Sequence, residues 1–225
     1  MPLYKNMFVT GCDESNEWML PWFMSNYKKY NNYPIVFADF GVSKEFKNYV
    51  DENFEKVIDM TDVPDKGWFK KPKSMIRAAK FSSNTCWIDT DFEILDNIET
   101  LFDWIEPNRL AMVEDKPWTK RRPDMRGLLY YNSGIVAFNG DPQILHQWAY
   151  NVEKNPQQGD QETLHAMMES PLSQRVYITD LPNEYNWLRL QLEHDNQDSN
   201  KKKAIHWTGP KGKEKIRSKM KQWEK

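Results

Sequence analysis

The run Cys86–Trp87–Ile88–Asp89–Thr90–Asp91–Phe92–Glu93–Ile94 is where the reading of this chain starts. An apolar strand, Thr85–Ile88, runs straight into two carboxylates one residue apart, and a second apolar run follows. In open α/β sheets ligands bind beyond the carboxyl ends of the strands, and Asp89 and Asp91 fall at such an end. Alternate side chains of an extended segment share a face, so both carboxylates can converge on one cation. Oxygen ligation suits magnesium or manganese, with substrate phosphates completing the shell. Taken alone, the pair reads equally well as a solvated acidic turn.

Outward from this stretch, short apolar runs alternate with helical patterns, the signature of βαβ units. Strands are expected at Lys5–Thr10, Pro34–Ala38, Lys56–Asp59, Thr85–Ile88, Leu110–Glu114, Tyr131–Asn139, Val176–Thr179 and Ala204–Trp207. Helices are expected at Ser15–Tyr30, from a Ser43 cap to Phe54, and at Pro72–Phe81, Pro142–Val152 and Asp160–Met168. Pro21 is tolerable only near a helix start or at a kink. The polar, mostly basic stretch Asp115–Gly127 reads as a long loop, a kind that is usually functional or disordered. No repeat or low-complexity linker divides the chain, so residues 1–225 read as one α/β domain ending in a basic tail, 213–225.

Composition excludes several classes. With 225 residues the chain can bury a real core without staples. A formal net charge of −2 gives no global pull toward nucleic acid or anionic lipid. Cys12 and Cys86 are the only cysteines, at strand edges, and read as buried free thiols. The start lacks the apolar run of a signal peptide, and no stretch reaches the ~20 apolar residues of a membrane span. A cytoplasmic protein is expected. Aromatic residues make up 14%, with ten Trp; they fit either a core of large side chains or a site that stacks sugars.

Other residues carry chemistry. Trp68–Phe69–Lys70–Lys71–Pro72–Lys73 places cations at a helix start, a natural anion site or a solvated basic turn. His206, within Ile205–His206–Trp207–Thr208–Gly209–Pro210–Lys211–Gly212–Lys213, ends a strand before a Gly-Pro turn and lysines. It offers a third metal ligand beside a diphosphate clamp, although a lone His is more often structural. His146, His165 and His194 sit on expected helices without carboxylate partners and read as structural. In the tail, a helix gathers Ile216, Met220 and Trp223 on one face. That face either packs on the domain, or lies on an anionic membrane surface with the lysines toward lipid.

Together these motifs resemble GT-A-fold glycosyltransferases. WIDTDFEIL with its upstream helix, YYNSGIVAFN, GDQETL, LPNEYNWL and IHWTGPKGK occur in the order found there, and the chain looks most like glycosyltransferase family eight, the retaining galactosyltransferase and glycogenin group. The resemblance implies a Rossmann-like, mixed but mostly parallel sheet flanked by helices. It implies transfer of a sugar from a nucleoside-diphosphate sugar to a saccharide, glycolipid or protein acceptor. Asp89, Asp91 and His206 match the manganese ligands. Lys71 and Lys73 resemble an Arg-x-Lys pair near nucleotide and sugar. Thr10, Asp13 and Asp39 fall where the nucleotide is held, and Thr90 lies inside the metal motif. Asn132, Ser133 and Gly134 match a stretch beside the transferred sugar, and Asp160 and Gln161 match the pair facing its anomeric carbon. Gly209 with Lys211 or Lys213 matches the diphosphate loop. The family's lysine in that loop is replaced here by Gly212, no Pro-Trp follows, and the first strand's end lacks the family's Asn. A nucleotidyltransferase would carry a Gly-rich basic loop where Thr10–Gly11–Cys12–Asp13 stands. A non-catalytic binding module of the same fold would not need both aspartates, His206 and Gln161.

Overall fold

A computed structural model describes residues 2–121, 127–168 and 170–223. Part of the basic stretch Asp115–Gly127 therefore lies outside the described residues. The first half alternates β1 (Tyr4–Cys12), α1 (Leu20–Tyr30), β2 (Ile35–Asp39), α2 (Lys44–Asn53), β3 (Val57–Asp59), α3 (Lys71–Ala78) and β4 (Ser82–Ile88). Then come β5 (Phe92–Ile94), β6 (Leu110–Glu114), α4 (Lys116–Arg121), β7 (Tyr131–Asn139), α5 (Gln143–Lys154) and α6 (Asp160–Ala166). The last part holds α7 (Pro171–Tyr177), β8 (Ile178–Asp180), β9 (Trp187–Leu188), α8 (Arg189–Glu193), β10 (Ala204–His206) and α9 (Gly209–Trp223).

Seven strands form one sheet in the order β3-β2-β1-β4-β7-β6-β8. β3, β2, β1 and β4 run parallel, β7 runs against both β4 and β6, and β8 is parallel to β6. Every central strand is buried on both faces, and its side chains alternate between two core layers. Phe8, Phe37, Cys86 and Ile88 point to the layer under α1 and α2, while Met7, Val9, Val36 and Trp87 point to the layer under α3 and α5. A smaller sheet, β5-β10-β9, extends the first layer. Both cysteines are free and buried, as their strand-edge positions suggest.

Local signals set most element ends. Ser43 Oγ accepts from Phe46 N and starts α2. Pro21 lies in the first turn of α1, which begins only at Leu20 after a 3-10 turn, Glu17–Met19; its missing N–H costs nothing there. The expected strand Val176–Thr179 is corrected to Ile178–Asp180. Ser170 accepts from Ser173 N at 3.1 Å, and Pro171 follows, so a capped helix carries the chain through Tyr177 first. Within the stretch read as a loop, Asp115 Oδ1 accepts from Trp118 N and opens α4. The tail is helical, with Ile216 wholly buried and Met220 packed on the same core layer. That much of its apolar face is used by the domain. No helix among the described residues is long and apolar enough to cross a membrane.

Candidate active site

The sheet's strand directions bring the chemistry-bearing residues to one edge. β1, β2, β4 and β6 end there, and the antiparallel β7 begins there. As β4 leaves the sheet, Asp89 N donates to Gly134 O at 2.9 Å. Between Met112 and Val113 the pairing of β6 with β7 jumps from Val136 to Asn132. The bulge turns Ser133 and Gly134 out of the ladder, as bulges beside active sites commonly do. From the far end of the chain, β10 pairs with β5 so that His206 lies opposite Phe92, and Trp207 N donates to Asp91 O at 3.0 Å.

His206 Nε2 lies 3.1 Å from Asp91 Oδ1 and 3.7 Å from Asp89 Oδ2. One ligand atom from each of the three residues lies within 4.8 Å of the others. The ring's other nitrogen, Nδ1, is 3.1 Å from Asn132 Oδ1, which also accepts from Gly134 N and Asn186 Nδ2. An oxygen there requires Nδ1 to carry a proton, so Nε2 is the nitrogen that faces the carboxylates. This is how metal-binding imidazoles are oriented. Phe92 stacks on the ring at 4.3 Å, and a Cβ on Gly134 would overlap it. Burial pushes the Asp89 carboxyl up despite Lys71, whereas at Asp91 burial is outweighed by His206, Lys213 and Lys71 together, which hold that carboxyl low. Two carboxylates and an oriented imidazole fit a divalent cation of the manganese or magnesium type.

Beside the triad stands Lys71, its side chain 4% exposed. It contacts Asp89 Oδ1 at 3.1 Å and Asp160 Oδ2 at 3.3 Å, and donates to Ser133 O at 3.1 Å. Burial alone would lower its ammonium, but Asp160 and Asp89 hold it above its ordinary value. Gln161, in the first turn of α6, has its carbonyl oxygen 3.0 Å from Ser133 N and 3.2 Å from Asn132 Nδ2. Asn132 Nδ2 in turn reaches Asp115 Oδ2 at 3.3 Å.

No protein-family model matches the sequence, and no curated protein matches it. Solved structures do match. The galactosyltransferase LgtC, solved with donor and acceptor sugar analogues, is 13% identical with a TM-score of 0.64; the alignment covers 91% of this chain and 87% of that one. Apo glycosyltransferase GlyE of Streptococcus pneumoniae TIGR4 is 18% identical, with a TM-score of 0.64 over 91% of this chain and 55% of that chain. Mouse xyloside xylosyltransferase 1 is 13% identical, with a TM-score of 0.56 over 90% of this chain and 97% of the other. The chain has the GT-A fold.

Within this GT-A fold the cleft has two halves, of about 310 and 430 Å³, and Trp68, Lys71, Asp89 and Asp91 line both. The first half also takes Asp13, Thr90, Lys213 and the stacked rings of Phe40 and Trp87. The second takes Asn132, Ser133, Gly134, Asp160, Gln161, His206 and Gly209. Four expected residues stand elsewhere. Lys73 is tied to Asp65 and Glu153 at 2.9 Å each, and Lys70 donates to Met60 O, so the lysine run is no open anion site. Thr10 is wholly buried behind the cleft. Asp39 Oδ1 accepts from Gly41 N and Val42 N, closing the turn after β2. Lys211 is exposed and lines neither half. Gly212, where the resembling enzymes carry lysine, packs so closely on the Trp207 backbone that no side chain fits. His146 does have a carboxylate partner, Asp141 Oδ1 at 2.6 Å, on the exposed face of α5.

Sequence reasoning missed Asp115, Trp118 and Asn186. Asp115 follows β6 as Asp89 follows β4, so the same strand-end argument applied to it would have found it. The residue is 3% exposed, and burial pushes its carboxyl up to about 6 against hydrogen bonds from Trp118 N, Asn132 and Gln161. The folded state thus holds this proton more tightly than the unfolded chain. Stability should fall as pH rises from the usual carboxylate range through about 6, by on the order of 3 kcal/mol. Urea midpoints across that range should show this slope, and Asp115→Asn should remove its share; an unchanged slope would mean that the proton is not held there.

Proposed function

We propose that this protein is a metal-dependent glycosyltransferase, most like family eight, that moves a sugar from a nucleoside-diphosphate sugar to an acceptor hydroxyl. Uridine is the proposed nucleoside, manganese or magnesium the proposed ion, and retention of configuration the proposed outcome. The observation that carries the reading is the Asp89–Asp91–His206 cluster at the junction of the two half-clefts. A donor whose diphosphate meets that cluster would have its nucleoside in the half lined by Asp13, Phe40 and Lys213, and its sugar in the half lined by Ser133 and Gln161.

A bound divalent cation supplies Lewis-acid neutralisation of the departing diphosphate. Lys213 is the lysine of the His206 loop that faces the cleft, so it is assigned to the diphosphate in place of Lys211. Lys71 adds a fixed positive charge in a water-poor setting, where preorganised charge counts most. Ser133 N–H and Asn132 hold the Gln161 carbonyl oxygen at the wall of the sugar half. From there it is assigned to face the anomeric carbon as positive charge develops. Asp160 holds Lys71 in register with this group. The protein is proposed to act in the cytoplasm.

Thermal shift with uridine diphosphate and manganese tests the reading directly. Ligand at ~100 times its dissociation constant should add about 2.7 kcal/mol of stability. His206→Ala should weaken manganese and nucleotide together, by ~10–100-fold. A wild-type protein that gains nothing from any nucleoside diphosphate with manganese would sink the proposal, and an unchanged His206→Ala would remove that residue from the site.

A further inference from the structure

We infer that the acceptor half of the cleft continues into a long polar groove that holds a neutral glycan chain, so that the acceptor is an oligosaccharide or polysaccharide. The inference rests on the glycosyltransferase reading and names the acceptor class for that same site. The second half-cleft shares Gln158 and Glu162 with a neighbouring depression of about 390 Å³. That depression shares Gln157 and Ala166 with a third, of about 550 Å³. Helix α6 links all three. Glu162, His165 and Ala166 are spaced three and four residues apart along one of its faces, and Ala166, exposed and with a methyl side chain, makes a low saddle between the last two. The third depression is the furrow between α5 and α6, with Gln147 and Asn151 on one side and Thr163 and Met167 on the other.

The lining chemistry selects the occupant. Side-chain amides of Gln147, Asn151, Asn155, Gln157 and Gln158 recur along the groove. Each amide both donates and accepts hydrogen bonds, as each sugar hydroxyl does. Among the described residues, the amides of Gln147 and Gln158 make no hydrogen bond of their own. In the middle depression the partly exposed His165 ring is backed by the buried Tyr130 ring at 4.0 Å, a small flat surface beside polar groups. Among the described residues no Lys or Arg lines either outer depression, so these offer a phosphate-bearing chain no counter-charge. Among the described residues their apolar lining is Leu128, Tyr130, Ala166 and Met167, too little for a lipid tail. Glu162, which lines both the second half-cleft and the middle depression, accepts from Tyr130 OH at 2.9 Å and disfavours an anionic glycan.

The test uses the full chain, saturated with uridine diphosphate and manganese, and glucose-, galactose- and N-acetylglucosamine-based oligomers from monosaccharide to hexasaccharide. Binding is read by saturation-transfer NMR and calorimetry. In at least one series, affinity should rise about tenfold or more between the shortest and longest oligomers, because each added subsite acts within one ligand. Ala166→Trp fills the saddle from an exposed position and should return long oligomers to the affinity of short ones. Gln158→Ala should weaken all but the shortest. Affinity independent of length, no binding of any oligomer, or an Ala166→Trp protein indistinguishable from wild type would each overturn the inference. Uridine-diphosphate affinity is measured on the same samples. Its loss with the length effect intact would count against the transferase reading alone, whereas intact nucleotide binding without a length effect would count against the groove alone.

Discussion

Asp91→Ala is expected to abolish manganese-dependent donor hydrolysis and transfer while leaving a folded protein. Asp91 meets His206 at 3.1 Å, and its side chain is 15% exposed, so it belongs to the cleft wall and not to either core layer. Loss of one ligand commonly costs ~10–100-fold in metal affinity. Here the loss also removes the group that faces His206 Nε2. At a fixed micromolar metal concentration, turnover should drop by at least that factor. In metal-free protein, the low-lying Asp91 carboxyl contributes stability above the carboxylate range, which is lost as pH falls through its depressed pKa. The variant should lack that contribution at neutral pH and so melt slightly lower. Turnover within a few-fold of wild type at limiting manganese would mean that the metal assignment is wrong.

Lys71→Met should produce the largest loss of stability of any single change at the site. The lysine sits between Asp89 and Asp160 with its side chain 4% exposed and 8% for Asp160. Methionine keeps the volume but leaves two partly buried carboxylates facing each other without a cation. Breaking a buried pair from one side typically costs about 3–5 kcal/mol, because the charge left behind has no solvent. The defect should shrink as pH is lowered toward the carboxylate range, since protonation removes the uncompensated charge. Chemical denaturation at neutral and mildly acidic pH measures both effects. A variant as stable as wild type at neutral pH would show that Lys71 is dispensable to the fold and is retained for chemistry alone.

The sheet was legible because its strands are buried on both faces and bounded by turn residues. Leu110–Glu114 and Tyr131–Asn139 could be read to the residue. Of the small sheet only β10 was legible, as the expected strand Ala204–Trp207; β5 has three residues and β9 two, too short for any period to register. At Val176 and Tyr177 a β-branched pattern lost to a helix already nucleated at Ser170 and Pro171, a cap outweighing propensity. Candidate ligands could be read from local pattern, but which lysine faces them could not. Lys71 and Lys73 lie on the same short helix, yet two residues turn a helix by more than half a revolution. One therefore enters the cleft while the other meets Asp65 and Glu153. Asp115, Asn132 and Gln161 form one hydrogen-bonded unit only because a β-bulge brings three separate segments together.

The placement of His206 on β10 has a consequence for the order in which the molecule becomes competent. Both aspartates are complete once β4 and the turn after it have folded, but the imidazole, its strand and the pairing with β5 come from much later in the chain. Chains emerge from the ribosome at roughly 5–20 residues per second, amino end first. A nascent chain therefore carries the acidic pair for several seconds with no nitrogen ligand and no β10 strand. On the metal-dependent reading proposed above, high-affinity capture of an ion would be a late event in the life of the polypeptide, waiting on the arrival of β10.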